Sequence, residues 1–127
     1  MKSLESGSWP DHLDALIAAP EHHTLLFEND VVRMLDTRIK AGDRTPVHTH
    51  RWPAALYIVS WSSFVRRDAR GEIMLDSRTV PSLARSPQAL WSPALAPHSL
   101  ENVGPSELHV ISVEMKHPPP VAPGKKV

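Results

Sequence analysis

The chain has 127 residues and a mass of 14.1 kDa, which makes one domain, because two would each be too small to bury an adequate core. Fourteen Lys and Arg balance fourteen Asp and Glu, with no basic run beyond Arg66-Arg67 and Lys125-Lys126, so nucleic acid and anionic membrane are argued against and a small molecule is the expected partner. There is no cysteine, hence no disulfide, no thiolate nucleophile and no sulfur ligand; no apolar run nears the ~20 residues of a membrane helix, and the first ten residues are too polar for a signal peptide, so a cytoplasmic location is expected.

Thirteen prolines against five glycines argue against long helices and for short segments punctuated by turns. In chain order, Leu13, Leu16 and Ile17 take helical spacing inside 11–19, and Pro20 closes that short N-terminal helix. Strands are then expected at 23–28, 31–40, 46–50, 54–67, 73–77, 89–91, 98–103 and 108–116, separated by turn chemistry such as Ala41-Gly42-Asp43 and Gly104-Pro105-Ser106. Eight short strands predict an all-β jelly-roll barrel. The expected organisation is an N-terminal segment (1–22), a barrel (23–116) and a Pro-rich tail (117–127), extended and mobile because it can neither pair in a sheet nor pack.

Eight histidines are the candidate metal suppliers. In His48-Thr49-His50 the two imidazoles stand at i and i+2 of a predicted strand, so both project to one face at a separation that suits one ion. Five residues separate Gly42 from His48, and Pro93, His98 and Asn102 recur downstream in Pro93-Ala94-Leu95-Ala96-Pro97-His98-Ser99-Leu100-Glu101-Asn102. Together these resemble the two motifs of the cupin superfamily, in order and over both halves of a barrel. The resemblance implies a small single-domain cupin, a double-stranded β-helix, with His48, His50 and His98 as metal ligands.

The chain departs from the family pattern where a glutamate ligand is usual: Ala54 stands there, with Trp61 in place of the next glycine and Pro87 and Leu95 in place of two others. A three-histidine site follows, with positions open to water or ligand and the ion's double charge undiminished, which favours an anionic ligand. Among three-histidine cupins are non-haem iron(II) dioxygenases acting on thiols or diketones. The expected function is therefore a metal-dependent, dioxygenase-like reaction on a small organic substrate with iron(II) favoured. The alternatives are a non-catalytic ligand-binding module, or an isomerase or lyase using zinc, nickel or manganese.

Around this site, Trp52, Ala54, Trp91 and His109 are candidate pocket residues. Tyr57 falls on the face opposite Ala54 by strand alternation, and His109 shares parity with apolar Ile111, Val113 and Met115, which predicts an inward position. Glu101 and Glu114 are the carboxylates available to replace the missing ligand. Of Arg33, Arg38 and Arg66, one that points inward would pair with a substrate carboxylate. Asn102 is expected to make a structural hydrogen bond. His12, His22, His23 and His117 are expected at the surface, and a homodimer is expected from exposed barrel edges and from Trp9, Leu25 and Phe27.

Overall fold

The computed structural model describes residues 9–116, so the expected tail at 117–127 lies outside the described residues. The N-terminal helical stretch divides at Asp14, whose extended backbone ends a 3-10 turn at Asp11–Leu13. The Asp14 carboxylate then caps α1 (Ala15–Ala18) by accepting from Leu16 N at 3.1 Å. Nine strands follow: β1 (His23–Glu28), β2 (Val32–Ile39), β3 (His48–His50), β4 (Ala54–Ser60), β5 (Phe64–Asp68), β6 (Ile73–Asp76), β7 (Ala89–Ser92), β8 (Leu95–Asn102) and β9 (Leu108–Met115). A second short helix, α2 (Pro81–Ala84), with proline at its start, follows a 3-10 turn at Ser77–Thr79; neither was expected from the sequence.

The strands form a five-stranded sheet, ordered β1-β2-β9-β4-β7, and a four-stranded sheet, ordered β3-β8-β5-β6, with every pairing antiparallel. The architecture is all-β and the two sheets make the double-stranded β-helix. The single strand expected over 54–67 is two, because Trp61-Ser62-Ser63 carries the chain from β4 in one sheet to β5 in the other. Asn102 secures this crossing as a fully buried hub. Its Nδ2 donates to Ile39 O and Ser106 O, both at 2.8 Å, and its Oδ1 accepts from Ser62 Oγ at 2.7 Å and Gly104 N at 3.0 Å. The structural role expected of Asn102 is the one it has.

One end of the space between the sheets is closed by a core of Ile39, Phe64 and Leu108, with Trp61 edge-on to Phe64 at 5.8 Å between centroids. Gly42, at φ +81°, makes the tight turn that precedes β3. Among the described residues, no helix is long and apolar enough to cross a membrane.

Candidate metal centre

β3 and β8 pair with His48 directly opposite His98, so the two motif segments meet in the sheet. Their rings lie 4.4 Å apart between centroids, and His50 stands 5.0 Å from His48 and 5.7 Å from His98. A fourth imidazole completes the group. His23, the first residue of β1, lies 4.8 Å from His48 and 5.2 Å from His50 by ring centroids. His23, His48 and His50 each bring a ligand atom to within 4.8 Å of the others, a few tenths beyond the roughly 4.2 Å spanned by opposed nitrogens on an ion with ~2.1 Å bonds. His23 is buried, contrary to the surface position expected of it, and His22 is largely covered too, with Nε2 at 2.8 Å from Asp43 Oδ2.

Each of the four rings has one nitrogen committed. Nδ1–H donates to Ala19 O in His23 (3.0 Å), to Pro46 O in His48 (2.8 Å), to Ala96 O in His98 (2.7 Å) and to Glu114 Oε2 in His50 (2.9 Å). Because carbonyl oxygens only accept, the tautomer of the first three is set, and Nε2 is left as the lone-pair atom. Burial, followed by the His50 and His48 imidazoles, pushes His23 down to about 2. Burial and then His50 push His48 down to about 4, and burial with His48 and His50 holds His98 well below the ordinary range. Neutral imidazoles with a free Nε2 are what a metal ion requires of its ligands.

Neither carboxylate considered as a replacement ligand is free. Glu101 Oε1 accepts from Arg67 Nη1 at 2.7 Å. Glu114, fully buried, accepts from Arg33 Nε at 2.7 Å through Oε1 and from His50 through Oε2, while Arg33 pairs in bidentate fashion with Asp14 at 3.0 and 3.1 Å. An ion-pair chain Asp14–Arg33–Glu114 thus braces the His50 ring from behind. Ala54 is the register partner of Glu114, so its small side chain leaves room for a carboxylate that comes from the neighbouring strand.

The histidines open on a cavity of about 260 Å³. Trp52, Ala54 and Trp91 line it; His109 does not, and its Nε2 meets Asp36 Oδ2 at 3.0 Å instead. On β9 the inward set is Leu108, Val110, Ser112 and Glu114, so the expected parity of His109 is reversed. Tyr57 does face away from Ala54 and is half exposed. Arg38 pairs with Asp36 on the outside, Arg33 is spent in the buried chain, and Arg66 lines the cavity.

No protein-family model matches the chain, and no curated protein matches it. Its structure is similar to a cupin domain from Bordetella pertussis, with a TM-score of 0.55 and 15% identity over 74% of this chain and 91% of that one. It is also similar to an RmlC-like cupin from Methanocaldococcus jannaschii (0.51, 14%, covering 76% and 82%). A third similar structure is the polyketide cyclase RemF from Streptomyces resistomycificus (0.50, 17%, covering 94% and 82%). The chain therefore has the cupin fold, a double-stranded β-helix, with a histidine cluster at its cavity that can hold a divalent metal.

Proposed function

We propose that the chain is a metal-dependent enzyme that holds one divalent ion, iron(II) by preference, through Nε2 of His23, His48, His50 and His98, and acts with dioxygen on a small organic substrate seated in the cavity. The observation that carries this reading is the shared commitment of Nδ1: four clustered rings each give that nitrogen to an oxygen acceptor, and none of their Nε2 atoms finds a hydrogen-bond partner among the described residues. Bound there, iron(II) would supply one-electron chemistry and positions open to exogenous ligands.

The chain's own residues do the rest. Trp52, Leu56 and Trp61 among the lining exclude water and offer flat apolar surface, and the unpartnered Ser112 hydroxyl is available to hydrogen-bond a substrate oxygen. Among the described residues the sole carboxylate in the lining, Glu114, is held by Arg33 and His50. With the histidines engaged as ligands, no lining side chain is left to abstract a proton, which isomerase and lyase chemistry needs. That favours the oxygenase reading over base-dependent chemistry on zinc, nickel or manganese. The likeness to the polyketide cyclase carries the fold and not its reaction.

The test is elemental analysis of protein purified without added metal, then chelation, reloading with iron(II) or zinc, and oxygen-uptake assays on small thiols, diketones and dihydroxy-aromatics. Uptake is expected with iron alone, and alanine at any of the four histidines should weaken metal binding at least ten-fold while circular dichroism stays that of a β-protein. Stoichiometric metal retained by all four variants, or zinc supporting the same turnover without oxygen, would overturn the reading.

A further inference from the structure

β5 sends alternate residues into the cavity: Phe64 and Arg66 line it, whereas Arg67 turns to Glu101 on the other face. Arg66 is paired in register with Leu100 of β8, and His98 sits two pairs along, opposite Asp68. Arg66 and His98 are therefore diagonal neighbours on the inner face, on the order of 7–8 Å apart. Leu75 of β6, opposite Arg66 on its other side, also lines the cavity and is apolar.

Among the described residues, the Arg66 side chain makes no hydrogen bond or ion pair, and its Nε is buried without a partner. The carboxylates on the flanking strands are engaged elsewhere: Glu101 with Arg67, Asp76 with Arg78, and Asp68 with the backbone N–H groups of Arg70 and Glu72. Burial alone pushes the Arg66 guanidinium below its ordinary pKa, but an arginine remains charged in proteins, and its charge reaches His98. Arg66 as a whole is half-buried, and a cation with its Nε buried and no counter-charge in reach is costly unless a ligand supplies one.

We propose that Arg66 is the anion anchor of the cavity and that the substrate is a small, largely apolar carboxylate, its carboxylate on the guanidinium and its body against Trp61 and Phe64. The inference rests on the cavity being the substrate site of the function proposed above. Among the described residues no other cationic side chain lines the cavity, which holds no lysine and no second arginine, so with the metal removed Arg66 is the one anion site left in it. One planar guanidinium matches a carboxylate monoanion in bidentate fashion, whereas a phosphate dianion would call for more donors. A volume of about 260 Å³ admits one small molecule.

The test uses benzoate and its neutral counterpart benzamide as probes, titrated calorimetrically into the full chain, both zinc-loaded and chelator-treated, with inorganic phosphate as competitor. Benzoate should bind at least about ten-fold more tightly than benzamide even without zinc, and phosphate should not displace it. Arg66→Met should abolish the preference while zinc stoichiometry is kept, and Arg66→Lys should retain part of it. Equal binding of the two probes by the wild type, displacement by phosphate, or an undiminished preference in a folded Arg66→Met variant would overturn the proposal. The benzoate preference in a chain that takes up no zinc on loading would support the anchor while removing the metal reading; stoichiometric zinc without the preference would remove the anchor alone.

Discussion

Three buried imidazoles crowded together, those of His23, His48 and His98, are compatible with folding because they stay neutral. In the metal-free protein His23 is held at about 2, His48 at about 4 and His98 well below its ordinary value, each by burial first and neighbouring imidazoles second. In the unfolded chain the same residues take up a proton near ~6.5. Between these limits the unfolded state binds more protons than the folded one, so the free energy of unfolding falls as the pH is lowered through ~6.5, and keeps falling until the folded-state group is itself protonated. For His48 the window runs from ~6.5 to about 4 and is worth about 3 kcal/mol at ~1.4 kcal/mol per unit. Urea denaturation of the chelator-treated protein should therefore show a midpoint that drops steeply from pH 7 to pH 5, and His48→Leu should flatten part of that slope. A midpoint independent of pH over that range would contradict the buried, neutral cluster.

At the scale of elements, the segment from α1 to β1 acts as a clip that delivers His23. Asp14 caps α1, bridges Thr49 of β3 and pairs with Arg33 of β2, while Ala19 at the helix end accepts from His23 Nδ1. Asp14→Ala removes the cap, worth ~1 kcal/mol, and half the counter-charge of a buried arginine, a loss of about 3–5 kcal/mol for a broken buried pair. Destabilisation by several kcal/mol in urea, together with zinc affinity weakened through a displaced His23, is the expected outcome; a variant with unchanged zinc affinity would show that the clip does not position that ring. Long-range delivery of this kind explains what the sequence withheld. His48, His50, His98 and Asn102 were legible because strand alternation and motif spacing are local. His23 was not, since its place depends on packing of the chain start against β3, and Glu114 reaches His50 across 64 residues. The crossing at Trp61-Ser62-Ser63 contains neither Gly nor Pro, so nothing local marked the end of β4. On β9 the rule that the apolar set faces inward failed because the inward face there carries Ser112 and Glu114, polar residues that serve the site.

That reversal has its consequence for the whole molecule. With Ser112 and Glu114 turned in, Ile111 and Val113 of the central strand face outward; Ile111 is in register with Tyr57 of β4, and Val113 with Ala55 of β4 and Met34 of β2. Tyr57 and Val59 are half exposed and Trp91 is 62% exposed, while the charged groups on this face, Asp36 and Arg38, pair with each other at 3.1 Å and His109 Nε2 meets Asp36 Oδ2 at 3.0 Å. At the sheet edge, β1 pairs only with β2 and exposes Leu25, Leu26 and Phe27. Trp9, expected to contribute there, is buried instead. An apolar face whose charges are already neutralised, continuous with a free strand edge, suits a second copy of the same chain, because an isologous contact places like patch on like patch without opposing net charges. The expected state is a homodimer at micromolar concentration in sedimentation velocity. Tyr57→Arg would bring a guanidinium group from each copy into that contact and should shift the protein to monomer, with zinc stoichiometry unchanged because Tyr57 points away from the cavity. A wild-type chain that sediments as a monomer would remove the dimer, whereas a dimer that survives Tyr57→Arg would move the contact from the sheet face to the β1 edge.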